Sequence, residues 1–132
     1  SKDAERLMKA TRESLTEGIK MARAGHALGD IGWAVANRIG RDKLSIVQAL
    51  TGHGIGRSLH EDPYVFNVGK RGEGEPLRVG MVLAIEPMIV LGNGKVRQDK
   101  DDVFRTVDGS IAAHFEHTVA ITERGPLILT ET

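Results

Sequence analysis

Met81–Leu91 reads MVLAIEPMIVL, an apolar run interrupted by one carboxylate and one proline. The run has no helical spacing of polar positions, and it is rich in branched aliphatic residues. That pattern predicts a strand buried on both faces. Pro87 holds Glu86 in extended geometry and removes a ladder N–H. A bulge or the end of a sheet is therefore expected at this point. An ionised, unpaired carboxylate in such surroundings costs several kcal/mol. Glu86 needs a cation, a strong donor set or a raised pKa. A metal or catalytic carboxylate is the favoured reading, and a strand-end glutamate paired with an arginine is the alternative.

Upstream of this run the periodicity is helical. Leu7, Thr11, Leu15, Ile19 and Ala22 recur at three- and four-residue steps between charges, predicting a helix from Ser1 to about Ala24 with Gly25 as its stop. A second helix is expected over Ile31–Ile39, with Asp30 as N-cap, Trp33, Val35, Ala36 and Ile39 as its apolar positions, and Gly40 closing it. From Ser45 the pattern turns to short apolar runs. Ser45–Leu50 (SIVQAL) is strand-like, and Gly69–Gly80 is the longest loop candidate. Asn93-Gly94 signals a hairpin, as does Asp108-Gly109 between DVFRTVDGS and AAHFEHTVAIT; PLILT makes a last strand. Two helices followed by strands predict an α+β fold: a mostly antiparallel sheet with both helices on one face.

The totals agree with one domain over residues 1–132. The chain is 40% hydrophobic but only 4% aromatic, so its core must be aliphatic. It has 18 basic and 18 acidic residues, and this balance argues against a broad nucleic-acid or membrane surface. It has no cysteine, which excludes disulfides, zinc–thiolate sites and a cysteine nucleophile. No run approaches the roughly 20 apolar residues of a membrane span, and no signal-peptide core follows SKDAERLMKA. A cytoplasmic location is expected.

Two more segments could carry chemistry. In TGHGIGRSLHEDP (Thr51–Pro63), His53 sits between two glycines that leave its imidazole unshielded, as a ligand requires. The competing reading is a surface turn. His60 follows seven residues later and could face the same pocket. The segment lacks the P-loop lysine and the dinucleotide pattern, so phosphate binding has little support. No G-x-S-x-G elbow is present. In AAHFEHTVAIT, alternation puts Ala112, His114, Glu116, Thr118 and Ala120 on one face. Small neighbours leave room beside Glu116, although a solvated face would look the same. His114 shares that face and could stand beside the site. His26 and His117 read as structural. One histidine and two glutamates on three strand-like segments suit Mn, Fe, Co or Zn.

TGHGIGRSLHEDP, GMVLAIEPM and HFEHTVAIT, in that order, resemble the type I methionine aminopeptidases, and TRESLTEGI…GHALGDIGWAV fits the same family. The resemblance implies half of a pita-bread fold, two pseudo-symmetric α+β halves enclosing two divalent metals. It implies removal of the first methionine from peptides and nascent chains by metal-assisted hydrolysis. By motif, His53, Glu86 and Glu116 resemble metal ligands, with Glu116 bridging both ions. Glu86 resembles a residue that also moves protons, and His60 resembles a catalytic histidine that contacts the scissile amide of the substrate. The family's two aspartate ligands lie upstream of the helix that opens this chain, and nothing here replaces them. The family's usual tryptophan is also missing, with Val103 near its place. The resemblance is therefore to a C-terminal half, with weak metal binding and little activity alone. The exposed half-interface would accept either the missing half or a second copy. Alternatives are a non-catalytic binding module on the same fold and an X-Pro dipeptidase-like hydrolase.

Overall fold

The computed structural model describes residues 1–131. Helix α1 spans Lys2–Lys20 and α2 spans Leu28–Gly40. Ten short strands follow: β1 (Ser45–Ile46), β2 (Gly52–Gly54), β3 (Glu61–Val65), β4 (Val82–Ile85), β5 (Met88–Val90), β6 (Val96–Gln98), β7 (Phe104–Thr106), β8 (Ala112–His114), β9 (His117–Thr122) and β10 (Gly125–Ile128). The α+β expectation holds, with every strand pair antiparallel. The strands form three sheets, ordered β10-β9-β4-β2-β3, β1-β5-β8 and β6-β7. No helix among the described residues is long and apolar enough to cross a membrane.

Helix α1 forms where its apolar stripe predicts. Ser1 Oγ accepts from the Ala4 N–H at 3.3 Å, and Asp3 and Glu5 oppose the positive end of the helix dipole. Leu7, Thr11, Leu15, Ile19 and Ala22 are all buried. Thr11 tolerates burial because its hydroxyl donates to the Leu7 carbonyl at 2.7 Å. The helix stops at Lys20 rather than near Ala24. The Met21 and Ala22 N–H groups turn to the Gly18 and Ile19 carbonyls, three residues back, and Gly25 follows in the left-handed region at φ 90°.

Helix α2 starts three residues before its expected first turn. Ala27 is the N-cap, and Asp30, expected as the cap, is the third helical residue. Its carboxylate reaches back to accept from the Ala27 N–H at 2.8 Å and from Gly72 N–H at 3.1 Å. The buried positions are Ile31, Ala34, Val35 and Ile39. Trp33 lies outside that stripe, half-buried, with the Arg71 guanidinium 4.7 Å from its ring centre. The helices are tied by Arg38, whose guanidinium meets Glu13 of α1 at 2.5 Å and Asp42 at 2.6 Å. Desolvation opposes its charge, yet these two carboxylates hold the Arg38 pKa above its usual range.

The strand expectations need five corrections. SIVQAL forms a strand only at Ser45–Ile46 and then turns. MVLAIEPMIVL is two strands in different sheets, broken at Glu86-Pro87, where the proline predicts a sheet end. Leu83, Ala84 and Ile85 are all buried, as a strand covered on both faces requires. Asn93-Gly94 closes no hairpin, because β5 pairs with β1 and β8 while β6 pairs with β7. Asp108-Gly109 likewise joins strands of different sheets, and AAHFEHTVAIT is broken at Phe115-Glu116. Gly69–Gly80 is the loop expected, apart from one bridge of Pro76 to Ala27.

The two breaks are one feature. Across the β4–β9 pair Ile85 faces His117, and across the β5–β8 pair Met88 faces His114. The register passes through the gap unchanged, so two antiparallel segments leave one sheet and enter the next together. Each side has its own core. Leu15, Ile19, Ile31, Leu83, Ile85 and Ile121 cluster behind the five-stranded sheet. Leu7, Ala10, Ile39, Leu44 and Ile89 cluster behind the three-stranded one. Glu86 and Glu116 lie at the seam.

Candidate metal centre

Three neighbouring strands of the five-stranded sheet deliver the three donors expected from the sequence. Glu86 follows β4 directly, and Glu116 precedes β9 directly. Because Ile85 faces His117, the two glutamates occupy the next position across the same ladder. His53 enters from β2, opposite Ala84. The β2–β3 register shifts between His53 and Gly54, a bulge of the kind that re-aims a side chain. The flanking glycines have a different cause from the one their loop suggests. A Cβ at Gly52 would overlap the Ala84 carbonyl, and one at Gly54 would overlap the Asp62 carbonyl. They admit neighbouring strand backbones rather than an ion.

His53, Glu86 and Glu116 each offer one ligand atom, and these atoms lie within 4.8 Å of one another. Two donors at about 2.1 Å from a common ion are at most about 4.2 Å apart, so the group needs to close by only about half an ångström. Of the two carboxylates in the group Glu86 is the more enclosed, its side chain 12% exposed; Glu116 is open to solvent.

The hydrogen bonding of His53 fixes what its other nitrogen can do. Nδ1 lies 2.9 Å from the Gly54 carbonyl oxygen, so Nδ1 carries a hydrogen and donates it. In the neutral ring Nε2 is then a lone pair. It stands 3.3 Å from Oε1 of Glu86, itself an acceptor. Two acceptors facing each other in a mostly enclosed site require a cation between them, a proton or a metal ion. Imidazole and two carboxylates suit a divalent ion of the Mn, Fe, Co or Zn type in both charge and donor chemistry.

The surroundings of Glu86 include two groups of unequal visibility in sequence. His114 is beside the site as its strand face predicts, with Nε2 3.3 Å from Oε2 of Glu86. Contact with that carboxylate raises the His114 pKa against the opposing effect of burial. Asn67, which the sequence reading passes over, is 3% exposed and donates from Nδ2 to the Glu86 carbonyl at 3.2 Å. The one available signal is an amide within YVFNVG, an apolar stretch.

His60 is exposed, with its ring centre 4.2 Å from that of His53. It stands at the mouth of the site. His26 and His117 do not join the group; His26 Nδ1 lies 3.1 Å from the Met21 carbonyl and His117 Nδ1 lies 2.8 Å from Thr130 Oγ1. A cleft of about 460 Å³ opens beside Glu86 and His114, lined by Val47, Leu50, Met88, Val96 and Phe104 among others.

The fold and donor set define a class: an α+β chain with a candidate metal-donor group, His53, Glu86 and Glu116, where strands cross between sheets. The sequence profile of the metallopeptidase family M24 matches residues 1–123, and the chain belongs to that family. It is 45% identical over 131 residues to a methionine aminopeptidase of Clostridium acetobutylicum, a match covering 98% of this chain and 52% of that protein. The crystal structure of methionine aminopeptidase from Rickettsia prowazekii superposes with a TM-score of 0.96 at 38% identity, covering 99% of this chain and 54% of that one. A prolidase structure from Pyrococcus horikoshii, at 22% identity and TM-score 0.72, shares the fold. The chain spans about half the length of the methionine aminopeptidases it matches.

Proposed function

We propose that this chain supplies the histidine–glutamate wall of a metal-dependent aminopeptidase that removes N-terminal methionine from peptides and nascent chains in the cytoplasm. The observation that carries the reading is the opposition of His53 Nε2 and Glu86 Oε1 at 3.3 Å, with Glu116 completing the donor group. The family and the methionine aminopeptidase relatives supply the reaction class.

In this reading His53, Glu86 and Glu116 hold a divalent ion, one of two in the complete centre. A bound ion supplies Lewis acidity toward a peptide carbonyl. Glu86 has one oxygen toward His53 and the other toward His114, which suits a carboxylate that moves a proton. His60, exposed beside His53, contacts the scissile amide. The remaining donors come from a complementary half, which also covers exposed apolar side chains such as Leu59, Val103, Val107 and Ile111. A second copy of this chain is the alternative cover. A non-catalytic module would have no use for two carboxylates gathered beside an imidazole nitrogen.

Calorimetric titration of Co or Mn into wild type and Glu116→Ala tests the assignment. The expected result is one site per chain in wild type and its loss in the variant. Equal heats from both proteins would remove Glu116 from the site.

A further inference from the structure

A glutamate that serves as a ligand must present a chosen oxygen. The terminal torsion of Glu is broad, so the carboxylate plane rotates unless something holds it. At Glu86 the backbone side is held, because Asn67 Nδ2 donates to its carbonyl at 3.2 Å. Oε1 faces His53 at 3.3 Å. The remaining oxygen, Oε2, stands 3.3 Å from Nε2 of His114. His114 reaches this point from the other sheet, at the end of β8 opposite Met88. It does not belong to the group of mutually close donors formed by His53, Glu86 and Glu116. Its place is behind the carboxylate rather than around the ion.

We propose that His114 is a positioning residue that acts through Glu86. Its Nε2–H engages Oε2 and fixes the rotation of the carboxylate, so that Oε1 alone is presented to the ion beside His53. Such partners, placed one shell behind a ligand, typically change metal affinity about 10- to 100-fold when removed. The position is open, with the His114 side chain 45% exposed, so its replacement leaves both cores intact. The inference rests on the metal-binding reading of His53, Glu86 and Glu116.

The test is titration of the full chain with cobalt chloride, followed by calorimetry and by the visible absorption of bound Co(II). Wild type, His114→Leu, His114→Ala, His114→Gln and Glu116→Ala are compared. The leucine and alanine variants are expected to bind about 10- to 100-fold more weakly, with altered Co(II) bands. Glutamine keeps an N–H donor of similar reach but is a poor ligand, and it is expected to restore affinity and spectrum. Wild-type binding in the leucine and alanine variants would overturn the proposal. So would a glutamine variant as weak as alanine, since the imidazole would then be ligating directly. If wild type itself takes no cobalt, the metal reading falls and takes the inference with it. If wild type binds and Glu116→Ala does not, only the His114 result decides.

Discussion

Asn67 and Glu86 are joined by a hydrogen bond from a buried side-chain amide to a main-chain carbonyl, 3.2 Å long, at the point where the chain leaves one sheet for another. Pro87 supplies no N–H there, and neither β4 nor β5 includes Glu86. The amide therefore does locally what a ladder would otherwise do. Asn67→Ala leaves the carbonyl without this donor and is expected to cost about 1–3 kcal/mol in urea unfolding. Asn67→Asp keeps the shape but sets a carboxylate against the carbonyl, and it should be worse than alanine. An aspartate variant as stable as wild type would show that the contact contributes nothing.

Two glycine-to-alanine substitutions should move stability in opposite directions. Gly52 lies in β2 between β3 and β4, and a Cβ there meets the Ala84 carbonyl. The strands must separate, at a cost of about 1–3 kcal/mol. Gly40 ends α2, and a Cβ there meets nothing within 4 Å. Gly40→Ala restricts the unfolded chain and should stabilise by about 0.4–1 kcal/mol. Thermal melting of both variants checks the pair; a neutral Gly52→Ala would contradict the packing described.

Asp30 gives the fold an acid sensitivity with a definite sign. The Ala27 N–H lowers its pKa most, against desolvation, with Gly72 N–H, His26 and Arg71 adding to the lowering. A carboxylate depressed in the folded state adds stability above the unfolded pKa. That stability is lost as pH falls through the folded one. The window therefore opens below about pH 4. Unfolding midpoints of wild type should fall with acid in this range more steeply than those of Asp30→Asn. At neutral pH Asp30→Ala should cost about 1 kcal/mol, as for a lost helix cap. Parallel pH profiles for wild type and Asp30→Asn would disprove the linkage.

Local patterns located the elements, and non-local pairing decided what they became. The stripe of α1 was readable because one face of a helix repeats along the chain. The need of Glu86 for partners is readable because a charge in an apolar run demands one, and His53 and His114 stand beside it. Pro87 marked the sheet end for the same kind of local reason. Asn93-Gly94 and Asp108-Gly109 misled because turn chemistry says where a chain bends, not which strands then meet. At Gly94 and Gly109 φ is positive, as such turns require, yet the flanking strands pair elsewhere. Alternation places His114 near Glu116, but its contact with Glu86 depends on two strand breaks sharing one register, which no window of sequence contains.

The donor count sets an expectation for catalysis. Among the described residues one group of three metal-ligating side chains forms, and one of its members, Glu116, is open to solvent. Three donors leave positions on one ion to water and cannot enclose a pair of ions, which need bridging ligands on both sides. His60 stands exposed beside His53, and orienting a substrate amide takes further groups that hold it in line. The 132-residue chain with added Co or Mn is therefore expected to bind metal yet release no methionine from Met-Ala-Ser above the rate of the free ion. Amino-acid analysis of timed digests makes the measurement. Sustained methionine release by the purified chain, abolished by Glu86→Gln, would mean that three ligands suffice or that paired copies complete the site.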